Sequence, residues 1–159
     1  MLHLIPAPLH RLLYRVADQL RRQWWRVRKP DRRSALVVAF DAAGRVLLVR
    51  HSYGPPVWTV PGGGVGRHED PAAAAAREMR EELGCELAEL VEIDAIEVDE
   101  SGSRDRQHLF AARLAGEPVA DRREIVAVDW FDPKALPANA SRHLAGFLER
   151  ALAARSQQR

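Results

Sequence analysis

Three glutamates near the end of one predicted helix are the residues best suited to chemistry in this chain of 159 residues. Glu78, Glu81 and Glu82 are three and four positions apart, so their side chains share one face of the helix. They lie just before Gly84, where the helix dipole is already negative, so the dipole and their mutual repulsion both oppose this placement. A positive partner is therefore expected beside them.

Two kinds of positive partner fit these acids. Arg77 and Arg80 would give a solvated, ion-paired helix face, which is the ordinary interpretation of such a charge run. The other partner is a hard divalent cation, because carboxylate oxygens suit Mg²⁺ or Mn²⁺, and Mg²⁺ commonly bridges to substrate phosphates. The glycines at 62–64 favour the cation, because a glycine loop offers backbone amides and carbonyls to phosphate and metal.

The residues from Gly63 to Cys85 resemble the Nudix box. Gly63, Glu69 and the run Arg77-Glu78-Met79-Arg80-Glu81-Glu82-Leu83-Gly84-Cys85 match it at every fixed position, with Met79 and Cys85 standing where bulky aliphatic side chains are usual. Segments 44–50 and 58–64, together with Glu124 and Trp130-Phe131, are similar to the surroundings of that box. On this resemblance, which covers about residues 34–152, the chain is identified as a member of the Nudix hydrolase family.

The resemblance implies a Nudix-type α/β/α sandwich with a mixed β-sheet. It also implies hydrolysis of a nucleoside diphosphate linked to another moiety, with Mg²⁺ or Mn²⁺ as the helper ion. The expected substrate is a small nucleotide such as a nucleotide sugar, ADP-ribose, a dinucleotide or a noncanonical nucleoside triphosphate. An RNA 5′-pyrophosphohydrolase and a non-catalytic nucleotide sensor of the same fold are the alternatives.

Carried onto this chain, the resemblance makes Glu78 and Glu82 the leading metal ligands. Glu81 is expected as a further ligand or an outer-sphere partner, and the carbonyl of Gly62 as another ligand.

Two further residues are expected to hold the box in shape, namely Arg77 and Glu69. The general base is either a box glutamate, such as Glu81, or a downstream loop acid such as Glu124. The sequence leaves that choice open.

Regular elements on both sides of the box are predicted from hydrophobic patterning. Strands are expected at 35–40, 46–49, 87–99, 108–114 and 126–131, with a loop at 61–64, a polar loop at 100–106, a helix from Asp70-Pro71 to Gly84, and a last helix after Pro137. The first two strands are expected to form a hairpin around Gly44. On the last helix, Leu144, Phe147, Leu148, Ala151 and Leu152 are expected to be buried.

The N-terminal segment, residues 1–33, carries most of the positive charge. It holds nine basic and two acidic side chains, so the remaining chain has a net charge of −5 although the whole chain has +2. Leu9, Leu13, Val16 and Leu20 form one apolar stripe, which predicts a basic amphipathic helix over about 9–28, ahead of a Nudix domain at 34–155. Three interpretations stay open: packing on this domain or on a second copy in a homodimer, contact with a membrane surface, or attraction of RNA or another polyanion.

Composition excludes several classes of protein. The chain is 47% hydrophobic and 29% charged, which fits neither a disordered chain nor a membrane span. Cys85 is the single cysteine, which excludes an intramolecular disulfide framework and a cysteine-rich zinc module. The N-terminus lacks the pattern of a signal peptide, so a cytoplasmic location is expected.

Overall fold

The structure of the protein is a computed structural model that describes residues 31–100 and 103–157, together with ten helical positions between 8 and 23. The strands are β1 (Arg32–Ala39), β2 (Val46–His51), β3 (Gly62–Gly64), β4 (Glu86–Glu100), β5 (Ser103–Ala115) and β6 (Ile125–Phe131), and the helices are α1 (Pro71–Leu83) and α2 (Leu144–Gln157).

The described strands form a four-stranded sheet in the order β3-β1-β5-β4 and a separate pair, β2-β6. Strands β1 and β5 run parallel, with Arg32 opposite Asp105 and Ala39 opposite Ala112. The neighbours β3 and β4 are antiparallel to their partners, so the sheet is mixed. The predicted mixed α/β fold class is confirmed.

One helix packs against each face of the larger sheet. Val37 and Val38 are consecutive on β1 and therefore point to opposite faces. Val37 belongs to the core that α1 closes with Met79, whereas Val38 belongs to the core that α2 closes with Leu144 and Phe147. This layering holds α1, which carries the candidate acids, against the sheet.

The turn at Gly44 forms as predicted, but the strands on its two sides do not make a hairpin. They share one bridge, between Phe40 and Val46, and β2 pairs with β6 instead. The hairpin prediction was wrong because both edges of β1 are already paired, one with β3 and the other with β5.

The glycines predicted as a loop form β3, which pairs antiparallel with β1. Gly62 has a φ of 141°, and a Cβ there would lie 2.1 Å from the carbonyl oxygen of Ala35. Glycine therefore allows the backbone to approach β1 this closely.

The polar loop predicted at 100–106 was also wrong, because residues from 103 onward belong to β5. Acidic residues of β4 stand opposite basic residues of β5, with Glu97 facing Arg106 and Asp99 facing Arg104. Opposite charges in cross-strand positions favour pairing, so polar composition alone misleads here.

The C-terminal helix begins at Leu144, seven residues after Pro137. Four of the five predicted core positions are buried, namely Leu144, Phe147, Leu148 and Ala151. Leu152 is 44% exposed, so its predicted burial was wrong.

The helical positions near the N-terminus expose the apolar stripe. Leu9, Leu13, Val16 and Leu20 are 49%, 50%, 47% and 62% exposed. These positions do not support packing of the stripe on this same domain, and its contact with a second copy, a membrane surface or a polyanion stays a prediction. In the described part of the chain, no helix is long and apolar enough to cross a bilayer.

Candidate active site

Capping interactions fix where α1 begins and ends. Asp70 precedes Pro71, and its carboxylate accepts the backbone N–H of Ala73 at 3.0 Å. At the other end, Gly84 adopts the left-handed conformation and donates its backbone N–H to the carbonyl of Arg80. The acids at 78, 81 and 82 therefore occupy the last part of the helix, as the sequence predicts.

Arg77 ties the segment before the helix to the helix itself. Its guanidinium donates to Glu69 Oε1 at 2.9 Å and to the carbonyl of Gly64 at 2.9 Å. The same group donates to Glu78 Oε1 at 2.7 Å and to Glu81 Oε2 at 3.3 Å. Arg77 thus supplies part of the positive charge expected beside the acids, and its place at the centre of the box fits a role in holding the box in shape.

Glu69 holds the loop that leads into α1. Its carboxylate accepts the Gly66 backbone N–H at 2.8 Å as well as the Arg77 guanidinium. The hydrogen bonds from Arg77 and Gly66 lower the pKa of Glu69 to about 2. Arg33, which the sequence analysis did not single out, donates to the carbonyls of Gly66 and Glu69 at 2.8 and 2.9 Å.

Glu82 lies almost fully inside the protein. It is 4% exposed, it accepts a hydrogen bond from the backbone N–H of Gly62, and its Oε2 has no hydrogen-bond partner among the described residues. Burial, followed by repulsion from Glu78 and Glu124, raises its pKa well above the usual value. Ion pairing with neighbouring arginines therefore explains Glu78 and Glu81 but leaves Glu82 unexplained.

Glu78 is pressed against the glycine strand. A Cβ on Gly63 would lie 2.4 Å from the Glu78 carboxyl carbon, so the lack of a side chain at 63 makes room for this carboxylate. Burial is the largest influence on the Glu78 pKa and raises it, although the Arg77 hydrogen bond opposes the shift. Repulsion from Glu81 and Glu124 acts in the same direction as burial.

The loop before β6 is bonded to the end of α1, and it places Glu124 near enough to Glu78 and Glu82 to raise the pKa of both. The backbone N–H groups of Val119 and Asp121 bond to the carbonyls of Leu83 and Glu82 at 2.9 and 3.0 Å, which occupies two acceptors at the end of α1.

Asp121 shapes the rest of that loop, because its carboxylate accepts the backbone N–H groups of Arg123, Glu124 and Ile125. The sequence analysis named Glu124 but missed Asp121. The available signal was the residue type, because an aspartate side chain can accept the backbone N–H groups of the residues that follow it and so stabilise a turn.

Glu81 stands apart from the other acids. Its side chain is 61% exposed and is bonded to Arg77. Among the described residues, no three His, Cys, Asp or Glu side chains are grouped closely enough to hold a metal ion as they stand. The unpartnered oxygen of Glu82 and the carboxylate of Glu78 near it are nevertheless hard oxygen donors of the kind that suit Mg²⁺ or Mn²⁺.

Two tyrosines that the sequence analysis did not single out border Glu124. Tyr14 lies among the N-terminal helical positions, and its ring stacks on Tyr53, with centroids 5.9 Å apart and planes at 22°. The Tyr14 hydroxyl is hydrogen-bonded to Glu124, and the Tyr53 hydroxyl lies 3.5 Å from Glu124 Oε2. Nothing in the spacing of these residues marks them, because the contact is made only in the folded chain.

Residues 30–151 match the family model described as the NUDIX domain. A Bacillus subtilis (strain 168) relative, named provisionally as an 8-oxo-dGTP diphosphatase, is 33% identical over 104 residues, which cover 65% of this chain and 68% of that protein. A Gluconacetobacter diazotrophicus protein named RNA pyrophosphohydrolase is 31% identical, covering 68% of this chain and 81% of its own length. The crystal structure of a MutT NUDIX hydrolase from Burkholderia pseudomallei is 25% identical and superposes with a TM-score of 0.69, covering 76% of this chain and 97% of that one.

Proposed function

This chain belongs to the NUDIX family of hydrolases, and from that premise we propose that it cleaves a pyrophosphate bond of a nucleotide with Mg²⁺ or Mn²⁺. One observation carries the proposal: Glu82 is 4% exposed, has an oxygen with no partner among the described residues, and lies near Glu78 and Glu124. Burying acids together costs free energy unless a positive group joins them, so such a cluster indicates a functional site.

Glu82 and Glu78 are the proposed cation ligands, and the Gly62 carbonyl is proposed as another ligand, with Glu81 as a further or outer-sphere partner. A divalent cation neutralises charge on the phosphates and makes a bound water more acidic. Arg77 and Glu69 are proposed to touch neither substrate nor cation, and to hold the loop and helix together through the bonds described above.

We assign the general base to Glu124 rather than to Glu81. Glu81 is 61% exposed and paired with Arg77, whereas Glu124 lies near enough to Glu78 and Glu82 to raise the pKa of both. In the proposed reaction Glu124 takes a proton from water, the water oxygen bonds to phosphorus, and the bond from phosphorus to the bridging oxygen breaks. The group beyond the bridging oxygen leaves with that oxygen as a phosphate: as phosphate or pyrophosphate from a nucleoside triphosphate or an RNA 5′ end, and as a sugar phosphate or a second nucleotide from the other substrates.

The proposed substrate is a small nucleotide, and the wider set of nucleotide sugars, ADP-ribose, dinucleotides and noncanonical nucleoside triphosphates defines the panel to test. The relative named provisionally as an 8-oxo-dGTP diphosphatase supports a nucleoside triphosphate as the first member to try. RNA with a 5′-triphosphate is the second candidate, favoured by the relatives named RNA pyrophosphohydrolase.

Glu82→Gln is expected to lower kcat on the best substrate by about 10²-fold or more while the protein stays folded, because a ligand and its charge are lost. Loss of substrate and formation of the phosphorylated products are measured by chromatography across the panel and on 5′-triphosphorylated RNA, with Mg²⁺, Mn²⁺ or EDTA present. The matched control is Glu149→Gln, which changes an exposed glutamate on α2.

Equal rates for wild type and Glu82→Gln would contradict the assignment. Faster cleavage of RNA ends than of every free nucleotide would select the second candidate.

A further inference from the structure

Tyr14 links the N-terminal helical positions to the candidate active site. It precedes the matched domain, which begins at residue 30, yet its hydroxyl is hydrogen-bonded to the Glu124 carboxylate. Its ring stacks on Tyr53, which lies beyond the end of β2 and brings its own hydroxyl to 3.5 Å from Glu124 Oε2. Two phenol groups from distant parts of the chain therefore meet one carboxylate.

We propose that Tyr14 is a positioning residue, whose hydroxyl holds the Glu124 carboxylate in the orientation needed to take a proton from water. This inference rests on the function proposed above. It adds a contribution from a segment outside the matched domain, so the N-terminal segment helps to complete the site.

Glu124 needs such a contact because the structure fixes its backbone more firmly than its side chain. The Glu124 N–H donates to Asp121 at 3.1 Å, and its carbonyl accepts the Ser52 N–H at 2.7 Å. These bonds place the Cα but leave the side-chain torsions to be set by what the carboxylate meets. The Tyr14 hydroxyl is hydrogen-bonded to Glu124, whereas the 3.5 Å separation of the Tyr53 hydroxyl from Glu124 Oε2 is at the limit of a hydrogen bond.

The surroundings of Tyr14 suit a hydrogen-bond donor. Glu124 and Asp121 face its hydroxyl with negative charge, and Arg123 opposes them with one positive charge. Burial and the bond to Glu124 raise the pKa of Tyr14 above its usual value, so the phenol stays protonated throughout the neutral range. Stacking on the Tyr53 ring orients the Tyr14 ring, and with it the Tyr14 hydroxyl that bonds to the Glu124 carboxylate.

The kinetic test compares Tyr14→Phe with wild type on the best substrate. Phenylalanine keeps the stacked ring and removes only the hydroxyl, so kcat is expected to fall about tenfold, as one hydrogen bond allows, with KM changed less than about twofold. Gln19→Ala, an exposed position among the same helical residues, is the control and should match wild type. In a Glu124→Gln background the same Tyr14 change should cause no further loss.

A second readout does not depend on activity. The chain has two tyrosines, so the ultraviolet absorbance of phenolate on alkaline titration reports both. In wild type Tyr14 is expected to titrate above the usual range of a phenol, Tyr14→Phe should remove that late step, and Glu124→Gln should move it to lower pH. A late step that Glu124→Gln leaves unchanged would overturn the contact.

The outcomes separate this inference from the function on which it rests. An active wild type with unchanged kcat in Tyr14→Phe, or an equal fractional loss in the Glu124→Gln background, would overturn the role of Tyr14 and leave the hydrolase intact. Wild-type protein that cleaves nothing on the panel would instead remove the proposed function, and this inference with it.

Discussion

Glu69 is an acid of the Nudix box whose hydrogen bonds hold the loop before α1 in place. Hydrogen bonds from Arg77 and Gly66 lower its pKa from 4.5 to about 2. A lowered pKa in the folded state means that the stabilisation is fully present above pH 4.5 and is lost as the pH falls toward 2.

We therefore expect Glu69→Gln to lower the Tm at neutral pH, and the gap from wild type to shrink as the pH falls through this range. Thermal unfolding followed at several pH values checks the prediction, with Glu149→Gln as the control. A gap that is constant or widens in acid would contradict the assigned bonds.

The residues of the site were predictable in identity but not in environment. Spacing along a helix does not distinguish Glu81 from Glu82, and only the resemblance to the Nudix box placed Glu82 ahead of Glu81 as a metal ligand. The fold separates them, because Glu82 turns under the glycine strand and Glu81 turns to solvent beside Arg77. Burial depends on what packs over the helix, and this covering comes from segments far away in sequence.

Strand β3 and helix α1 come closest in the site where Gly63 lies against the Glu78 carboxylate. A Cβ at Gly63 would meet the Glu78 carboxylate at 2.4–2.7 Å, whereas at Gly64 it would meet nothing within 4 Å. Gly63→Ala and Gly64→Ala are therefore a matched pair of substitutions in one short strand.

We expect Gly63→Ala to lower kcat by roughly 10–100-fold, because Glu78 must swing away and misplaced catalytic groups are costly. Its fold should survive, since the group displaced is the end of a flexible side chain, and Gly64→Ala should keep both rate and fold. Steady-state kinetics and circular dichroism of the two variants check this. Equal rates in both would show that the close approach does not matter.

The same elements show where sequence patterns stop being informative. The cap at Asp70, the end of α1 at Gly84 and the buried strands β1 and β2 were predictable, because each depends on local residue chemistry. The pairing of β2 with β6 and the strand character of 62–64 were not, because they depend on which strand edges remain unpaired.

In the whole molecule, the positive charge is concentrated in the N-terminal segment, and Tyr14 of that segment contacts the candidate site. The first 33 residues are strongly basic and precede most of the matched domain, yet Tyr14 reaches Glu124 while Leu9 and Leu20 remain about half or more exposed. The amphipathic pattern predicted a helix at these positions. It could not predict that a tyrosine of that helix contacts the site, since periodicity describes one element and not its neighbour.

The central claim is that the buried acids of α1 bind a divalent cation, and calorimetric titration with Mn²⁺ tests it most directly. Wild type and Glu149→Gln should give saturable heats, with or without a non-hydrolysable nucleotide, and Glu82→Gln should lose most of the signal because it lacks the buried charge. Flat heats in wild type under both conditions, or unchanged binding in Glu82→Gln, would contradict the account.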